Sequence, residues 1–375
     1  GYGRKPRVTD RMEPQTDTTR IVISVDAMGG DRGPCAVVDG IAASAEKNPD
    51  VSFLVHGNEA ELKKLVARRK PLAARCEIRA TERVVTMDEK PSYVMRNGAG
   101  TSMWSAVDSV RNGEAAAAVS CGNTGALMAV SMLRLRKLPG VNRPAIASAW
   151  PSRNAHEFNV MLDMGADVRA DAEDLVQFAV MGASYARNAL GLAAPRVGLL
   201  NVGTEENKGR AELKAAHEMM PTAAGISNFA YIGFVEGNDI LGDRADVIVT
   251  DGFTGNVALK TAEGTAKLVA DSLRKAFQKT PLSRMAALLA MPSLKRFSRR
   301  MDPRRSNGGV FLGLNGMVVK SHGSADATAM AAAINLAIRL TRAGFQDRLA
   351  SRVATALATL QTGETAGSTS SGATE

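Results

Sequence analysis

Short runs of branched apolar residues recur along this chain. Each closes on a polar, glycine-bearing segment and then on a longer stretch whose apolar positions have helical spacing. The first run, Ile21 to Val25, passes through Asp26-Ala-Met-Gly-Gly-Asp-Arg-Gly-Pro34, and Pro34 predicts the start of a helix that ends near Lys47. Further strands are predicted at Val51 to His56, Cys76 to Arg79, Ala115 to Ser120, Ala145 to Ala149, Val160 to Asp163, Val197 to Asn201, Ala230 to Phe234, Val247 to Thr250 and Gly316 to Lys320. Helices are predicted from Asn58, around Thr101 to Asn112, and after Gly125 with Arg134, Arg136 and Lys137 in the last turn. Others cover Asp171 to Leu190, Ala211 to Met219, Gly255 to Phe277, Ala325 to Arg342 and Asp347 to Leu360. This alternation predicts an α/β fold: an αβα sandwich around a mainly parallel, Rossmann-like sheet.

A parallel sheet would place all strand carboxyl ends on one rim, where such sheets take their ligands. The loops expected there are Asp26 to Gly33, Gly122 to Gly125, Asp163 to Asp167, Asn201 to Gly209, Glu236 to Asp239, Asp251 to Asn256 and Ser321 to Ser324. Together they would form one long cleft, with helix N-termini offering N–H groups to an anion. The most informative is the stretch Val197 to Gly209. Gly203 and Gly209 permit close backbone approach there, and Asn201, Thr204 and Lys208 supply donors. Lys208 is the candidate point charge for a phosphate. Asp26, Gly29, Gly30, Gly122, Asn123, Thr124, Gly125, Asp251 and Asn256 are the other candidates for holding or orienting the reactants, and His322 is the candidate acid toward a leaving thiolate.

The 375 residues are 45% hydrophobic but only 4% aromatic, so the core must be aliphatic and a base-stacking nucleic-acid reader is disfavoured. Three dispersed cysteines (Cys35, Cys76, Cys121) argue against a disulfide framework and for a reducing, cytoplasmic compartment. Neither GxxxxGK[ST] nor GxGxxG is present, and the four histidines match no metal-ligand spacing, so neither a metal nor a cofactor is expected. Cys121 reads as a core-edge thiol rather than a nucleophile. Residues 1 to 20 read as a disordered basic leader and 362 to 375 as a disordered low-complexity tail, leaving one catalytic unit from 21 to 361.

The net charge of +9 is concentrated between Thr280 and Arg305, where seven bases (Arg284, Lys295, Arg296, Arg299, Arg300, Arg304, Arg305) accompany one acid, Asp302. Leu288, Leu289 and Phe297 belong to an apolar stripe in the same segment, which predicts an amphipathic helical excursion interrupted or restarted at Pro292. A partner-facing helix, an anionic membrane surface and nucleic acid are its alternative uses.

The blocks Val25 to Asp31, Ser120 to Met128, Arg143 to Ala145, Leu162 to Ala166, Pro195 to Glu205, Asp246 to Asn256 and His322 to Ser324 together resemble the bacterial phosphate acyltransferase family of phospholipid synthesis, over about Ile21 to Leu340. The resemblance implies transfer of a long fatty acyl group from acyl carrier protein to inorganic phosphate. It also implies a phosphate acetyltransferase-like and isopropylmalate dehydrogenase-like fold and a homodimer. A soluble enzyme touching the membrane through the 280 to 305 segment is implied too, with a downstream glycerol-3-phosphate acyltransferase as a candidate partner and no nucleic acid. A membrane-bound scaffold with a degenerate enzyme fold, a short-chain transacylase using coenzyme A and a nicotinamide dehydrogenase are the competing readings.

Overall fold

Every predicted apolar run forms a strand. In the computed structural model, which describes residues 20–301 and 308–368 (side chains excepted at 70, 71, 298–301 and 361–368), the strands are β1 (Ile21–Asp26), β2 (Val51–Gly57), β3 (Cys76–Ala80), β4 (Ala117–Ser120), β5 (Ala145–Pro151), β6 (Phe158–Leu162), β7 (Arg196–Leu200), β8 (Ala230–Val235), β9 (Val247–Val249), β10 (Gly309–Leu312) and β11 (Met317–Lys320). They make one sheet in the order β3-β2-β1-β4-β11-β10-β5-β6-β9-β7-β8. The helices are α1 (Gly33–Lys47), α2 (Glu59–Ala67), α3 (Lys70–Ala73), α4 (Pro91–Asn97), α5 (Ser102–Arg111), α6 (Thr124–Leu135), α7 (Ala172–Leu190), α8 (Ala211–Ser227), α9 (Gly252–Gln278), α10 (Pro281–Met301), α11 (Ala327–Arg342) and α12 (Phe345–Ser368).

The sheet is mainly parallel, but it is not unidirectional. β3, β2, β1, β4 and β11 run together, β10 is antiparallel to both β11 and β5, and β5 is antiparallel to β6. β6, β9, β7 and β8 again run together, now opposite to the first block. Two blocks of opposite sense cannot share one carboxyl rim, so the expected single row of seven loops divides into two groups. The reversal comes from hairpin connections, since parallel neighbours need a crossover whereas antiparallel ones need only a turn. Gly313, at φ 92, provides the turn between β10 and β11.

Alternate residues of each strand feed two cores, one on each face of the sheet. Ile23, Val25, Val119 and Val319 pack with α1, α7 and α11, while Ala118, Val318, Met161 and Ile248 pack with α5 and α6. Tyr185, Phe53, Phe178, Phe311 and Phe345 are the largest fully buried side chains, and the aliphatic remainder agrees with the low aromatic content. Each such side chain contributes about 2 kcal/mol through burial.

Polar caps decide where the helices begin. Asn58 accepts from Glu61 N, Asp171 and Asp174 form a reciprocal capping box, and Asp326 accepts from Ala329 N. Asp251 caps α9 by accepting from Thr254 N, so the helix begins at Gly252 rather than Gly255, and Asn256 lies in its first turns rather than in a loop. Of the three bases expected in the last turn of α6, only Arg134 is there, because Arg136 leaves the helix at φ 65. α10 continues through Pro292 without the expected interruption, and α12 continues past Leu360 to Ser368, since local hydrogen bonding needs no core. The expected leader through residue 19, and the tail beyond residue 368, lie outside the described residues. β10, α3 and α4 were not expected: each is short, and Gly308-Gly309 and Pro91 read as loop punctuation.

Candidate active site

β1, β4 and β11 are neighbours in the sheet, and their carboxyl ends bring three of the candidate loops into contact. Ser120 Oγ donates to Asp26 Oδ2 at 2.8 Å and accepts from Gly122 N at 3.0 Å, tying the loop after β4 to the end of β1. Asp26 also accepts from Met28 N at 3.2 Å, which turns its own loop inward. Burial pushes the Asp26 carboxyl above the usual carboxylate range, with these hydrogen bonds opposing. The loops touch by backbone: a Cβ on Gly29 would stand 2.8 Å from Gly122 N, and Gly30, at φ 94, leaves room only for Cys121 Sγ and Gly323 O. Asp31 N donates to Gly323 O at 2.8 Å, and Ser321 N to Ser120 O at 2.9 Å.

Cys121 is buried, and its thiol donates to Gly29 O at 2.8 Å. Burial, together with the nearby Asp26 carboxyl, pushes the thiol up to about 12, so it is a structural hydrogen-bond donor rather than a thiolate nucleophile. Asn123 is committed to structure as well. Its Oδ1 caps α6 at Ala126 N, while Nδ2 donates to Met87 O at 3.0 Å and Glu89 O at 2.9 Å, holding the segment before α4 over the loop. Thr124 opens α6, and Gly125 lies against Pro91.

His322 faces α9. Its Nδ1 pairs with Ser324 Oγ at 3.0 Å, and its Nε2 lies 3.3 Å from Glu263 and 3.4 Å from Lys260 Nζ. Burial, with the Lys260 charge, outweighs Glu263 and lowers its pKa, which favours the neutral imidazole at neutral pH. Lys260 and Glu263, which the sequence reading missed, lie about 12–17 Å along α9 from its Gly252 start at about 1.5 Å per residue. The same helix therefore begins in the second group of loops and reaches the first.

That second group gathers at the ends of β6, β7 and β9. Asp163 Oδ1 accepts from Ile146 N, Gly165 N and Ala166 N, and Oδ2 from Asp167 N, so this loop's donors are filled by the protein's own carboxylate. Gly165 lies 3.6 Å from the Asn256 Cβ, measured from where its own Cβ would be. Asp251 is buried; burial would raise its pKa, but Thr254 N, the Arg210 guanidinium and the Thr254 hydroxyl together hold it below the usual range. Asn201 spans its loop, accepting from Val202 N at 2.8 Å and donating to Lys208 O at 3.1 Å. Thr204 is exposed. Lys208 is half exposed and pairs with Glu205 at 2.8 Å, and that partner raises its pKa. Lys208 and the Gly122 loop therefore belong to different groups.

Two further residues went unassigned in the sequence reading. Lys320 ends a strand that is buried at every position, and Ser321 follows it with 0% exposure. The available signal was a lysine closing the apolar run Met317 to Val319.

A family model described as "Fatty acid synthesis protein" matches residues 21–348. The phosphate acyltransferase of Paracoccus denitrificans (strain Pd 1222) is 70% identical over 342 residues, covering 91% of this chain and 92% of that protein. The phosphate acyltransferase of Cereibacter sphaeroides (strain ATCC 17025 / ATH 2.4.3) is 69% identical over 348 residues, covering 93% and 95%. Among solved structures, the phosphotransacetylase from Streptococcus pyogenes aligns with a TM-score of 0.57 at 18% identity, over 86% of this chain and 95% of that one. The EutD phosphotransacetylase from Staphylococcus aureus gives 0.55 at 14%, over 86% and 94%, and both likenesses concern the fold alone. With its whole sheet inside the family model and about seven residues in ten shared with these relatives, the chain belongs to the fatty acid synthesis protein family, alongside the phosphate acyltransferases.

Proposed function

We propose that this acyltransferase moves a long-chain fatty acyl group from the thioester of acyl carrier protein to inorganic phosphate, giving acyl phosphate for phospholipid synthesis. The observation that carries this reading is 70% identity, over 91% of the chain, to a protein named phosphate acyltransferase. Within that reaction, the buried Cys121 thiol favours direct attack over an acyl-enzyme. An oxygen of hydrogen phosphate attacks the carbonyl carbon, the C–S bond breaks, and the electron pair leaves with sulfur. The phosphate's proton passes through neutral His322 to the thiolate. Main-chain donors at Gly30 and at Asn123 to Gly125, where α6 begins, are proposed to meet the developing oxyanion.

Lys208 is proposed as a mobile point charge. Its partner Glu205 is three residues away on the same exposed loop, and exposed pairs of this kind contribute little, so the ammonium exchanges readily onto an anion that reaches its own group of loops. Asn201, Thr204, Asp251 and Asn256 are proposed to shape and orient that loop. Lys208→Ala is expected to lower turnover at least about tenfold, read as acyl phosphate formed and thiol released from acyl carrier protein thioester. Near-normal turnover removes Lys208 from the reaction. Comparing long-chain carrier-protein thioester with short-chain coenzyme A thioester as donors tests the donor class, and no acyl phosphate from either overturns the reading.

The excursion is proposed to meet an anionic membrane surface. Leu288, Leu289 and Phe297 on α10 are 69%, 82% and 60% exposed, with Lys295 and Arg296 on the same helix; the Arg299 and Arg300 side chains lie outside the described residues. Among the described residues no helix is long and apolar enough to cross a membrane. The double variant Leu288→Glu, Leu289→Glu is expected to bind vesicles about tenfold more weakly than the parent. Co-sedimentation that ignores anionic lipid content defeats this proposal. A homodimer, acyl carrier protein contact at basic surface, and hand-over to a downstream glycerol-3-phosphate acyltransferase complete the proposed setting.

A further inference from the structure

The carboxyl end of β11 holds a buried cation that the reaction described so far does not use. Lys320 is 8% exposed, and its Nζ donates to Ser321 O. An ammonium carries three N–H donors, and among the described residues this carbonyl is its one hydrogen-bond acceptor, with no carboxylate within 4.0 Å of it. Ser321 Oγ, on the next residue, is buried without any hydrogen-bond partner. Buried charges and hydroxyls normally have partners, because leaving them without one is costly. Two adjacent donors lacking acceptors, at the meeting point of three glycine loops, therefore describe a place for an acceptor-rich anion.

The surrounding side chains do not supply the missing acceptors. Cys121 from the end of β4, Lys260 from α9, Asp26 from β1 and Asp31 from the loop after β1 all act on Lys320. The Cys121 thiol is pushed up to about 12 and stays protonated at neutral pH, Lys260 repels, and Asp26 and Asp31 attract Lys320 without either making a hydrogen bond or ion pair to its ammonium. Burial is the main reason that Lys320 is lowered to about 8, with Lys260 assisting. A phosphate dianion would supply acceptors to both groups.

We propose that Lys320 and Ser321 seat the acceptor orthophosphate, the ammonium and the hydroxyl both donating to its oxygens. This assignment rests on the phosphate-acceptor reading above and adds a residue pair to it. Lys208, in the other group of loops, takes no part in this seat.

Equilibrium binding of inorganic phosphate to the full chain, without any acyl donor, tests the assignment. Lys320→Met is expected to weaken binding about thirtyfold and Ser321→Ala about fivefold, with Lys320→Arg restoring part of the loss. The KM for acyl carrier protein thioester should stay within about twofold in each variant. Lys320→Met should melt no lower than the parent at pH 7, since an apolar isostere removes a buried unpaired charge. A purely structural lysine would instead lower the melting temperature and leave phosphate binding unchanged, and that pattern overturns the proposal. Should Lys320→Met not fold, the parent's own pH dependence decides. Its phosphate affinity should decline as pH rises past about 8 and the ammonium loses its proton, and an affinity flat to pH 10 overturns the proposal. If the parent forms acyl phosphate while Lys320→Met binds phosphate normally, the seat alone is wrong. If the parent neither binds phosphate nor forms acyl phosphate, the acceptor reading fails and this assignment fails with it.

Discussion

Gly29→Ala should lower acyl phosphate formation about a hundredfold while leaving the fold intact, because a shift near 1 Å in a reacting geometry has an effect of that size. The added Cβ would stand 2.8 Å from both Gly122 N and Asp26 Oδ2 and 2.9 Å from Gly122 Cα. Two of these atoms are main chain, and the third is a carboxylate oxygen held by Ser120 Oγ, so the β1 and β4 loops must part. They carry the Ser120 bridge and the main-chain donors, and parting them widens the proposed oxyanion site. Gly225→Ala is the control: it lies in α8, and a Cβ there meets nothing within 4 Å. Initial rates of thiol release at saturating substrates, alongside circular dichroism melts, read the outcome. A Gly29→Ala rate equal to that of the control would show that contact between these loops is not needed for the reaction.

Asp163→Ala should produce the largest loss of stability. The side chain is 0% exposed and accepts from four main-chain N–H groups, at 3.0, 3.1 and 2.9 Å on Oδ1 and 3.0 Å on Oδ2. Removing it strands those donors at about 1 kcal/mol or more each, partly offset because burial already disfavours the carboxylate, so a net loss of about 4 kcal/mol is expected. For a chain of this size that corresponds to a fall in melting temperature of roughly 8 °C. Asp163→Asn keeps one oxygen and should lose less than about half as much. The loop it fastens abuts the start of α9, where Gly252 and Gly255 pack directly against the main chain of Asp167 and Asp163. Unfolding by urea measures both variants, and a loss below about 1 kcal/mol for Asp163→Ala would mean that water replaces the carboxylate adequately.

How far the chain could be read from its residues depended on whether the deciding contact was local. The β–α alternation from Ile21 to Ser120 was legible, because period-two apolar runs and side chains such as Asn58 and Thr101 mark strands and helix starts within a few residues. β10 was not, since four residues that begin on the second of two glycines look like loop until β11 and β5 pair with them. That short strand and the β5–β6 hairpin reverse the second half of the sheet, which is why one expected rim became two. The candidate loops were likewise legible as glycine-bearing turns, yet the reading placed Lys208 beside the Gly122 loop. It gave no role to Lys320, whose neighbours Asp26, Cys121 and Lys260 are brought to it from far along the chain.

By itself the sequence determined the α/β class, the positions of most elements and the aliphatic character of the core, all of which follow from local periodicity, capping and composition, while its motif blocks carried the resemblance to the family. Tertiary structure alone decided which loops meet, which thiol is silenced and which lysine is left buried with no carboxylate bonded to it. Those outcomes depend on strand order and direction, and these are set by hydrogen bonds between segments that no local pattern pairs.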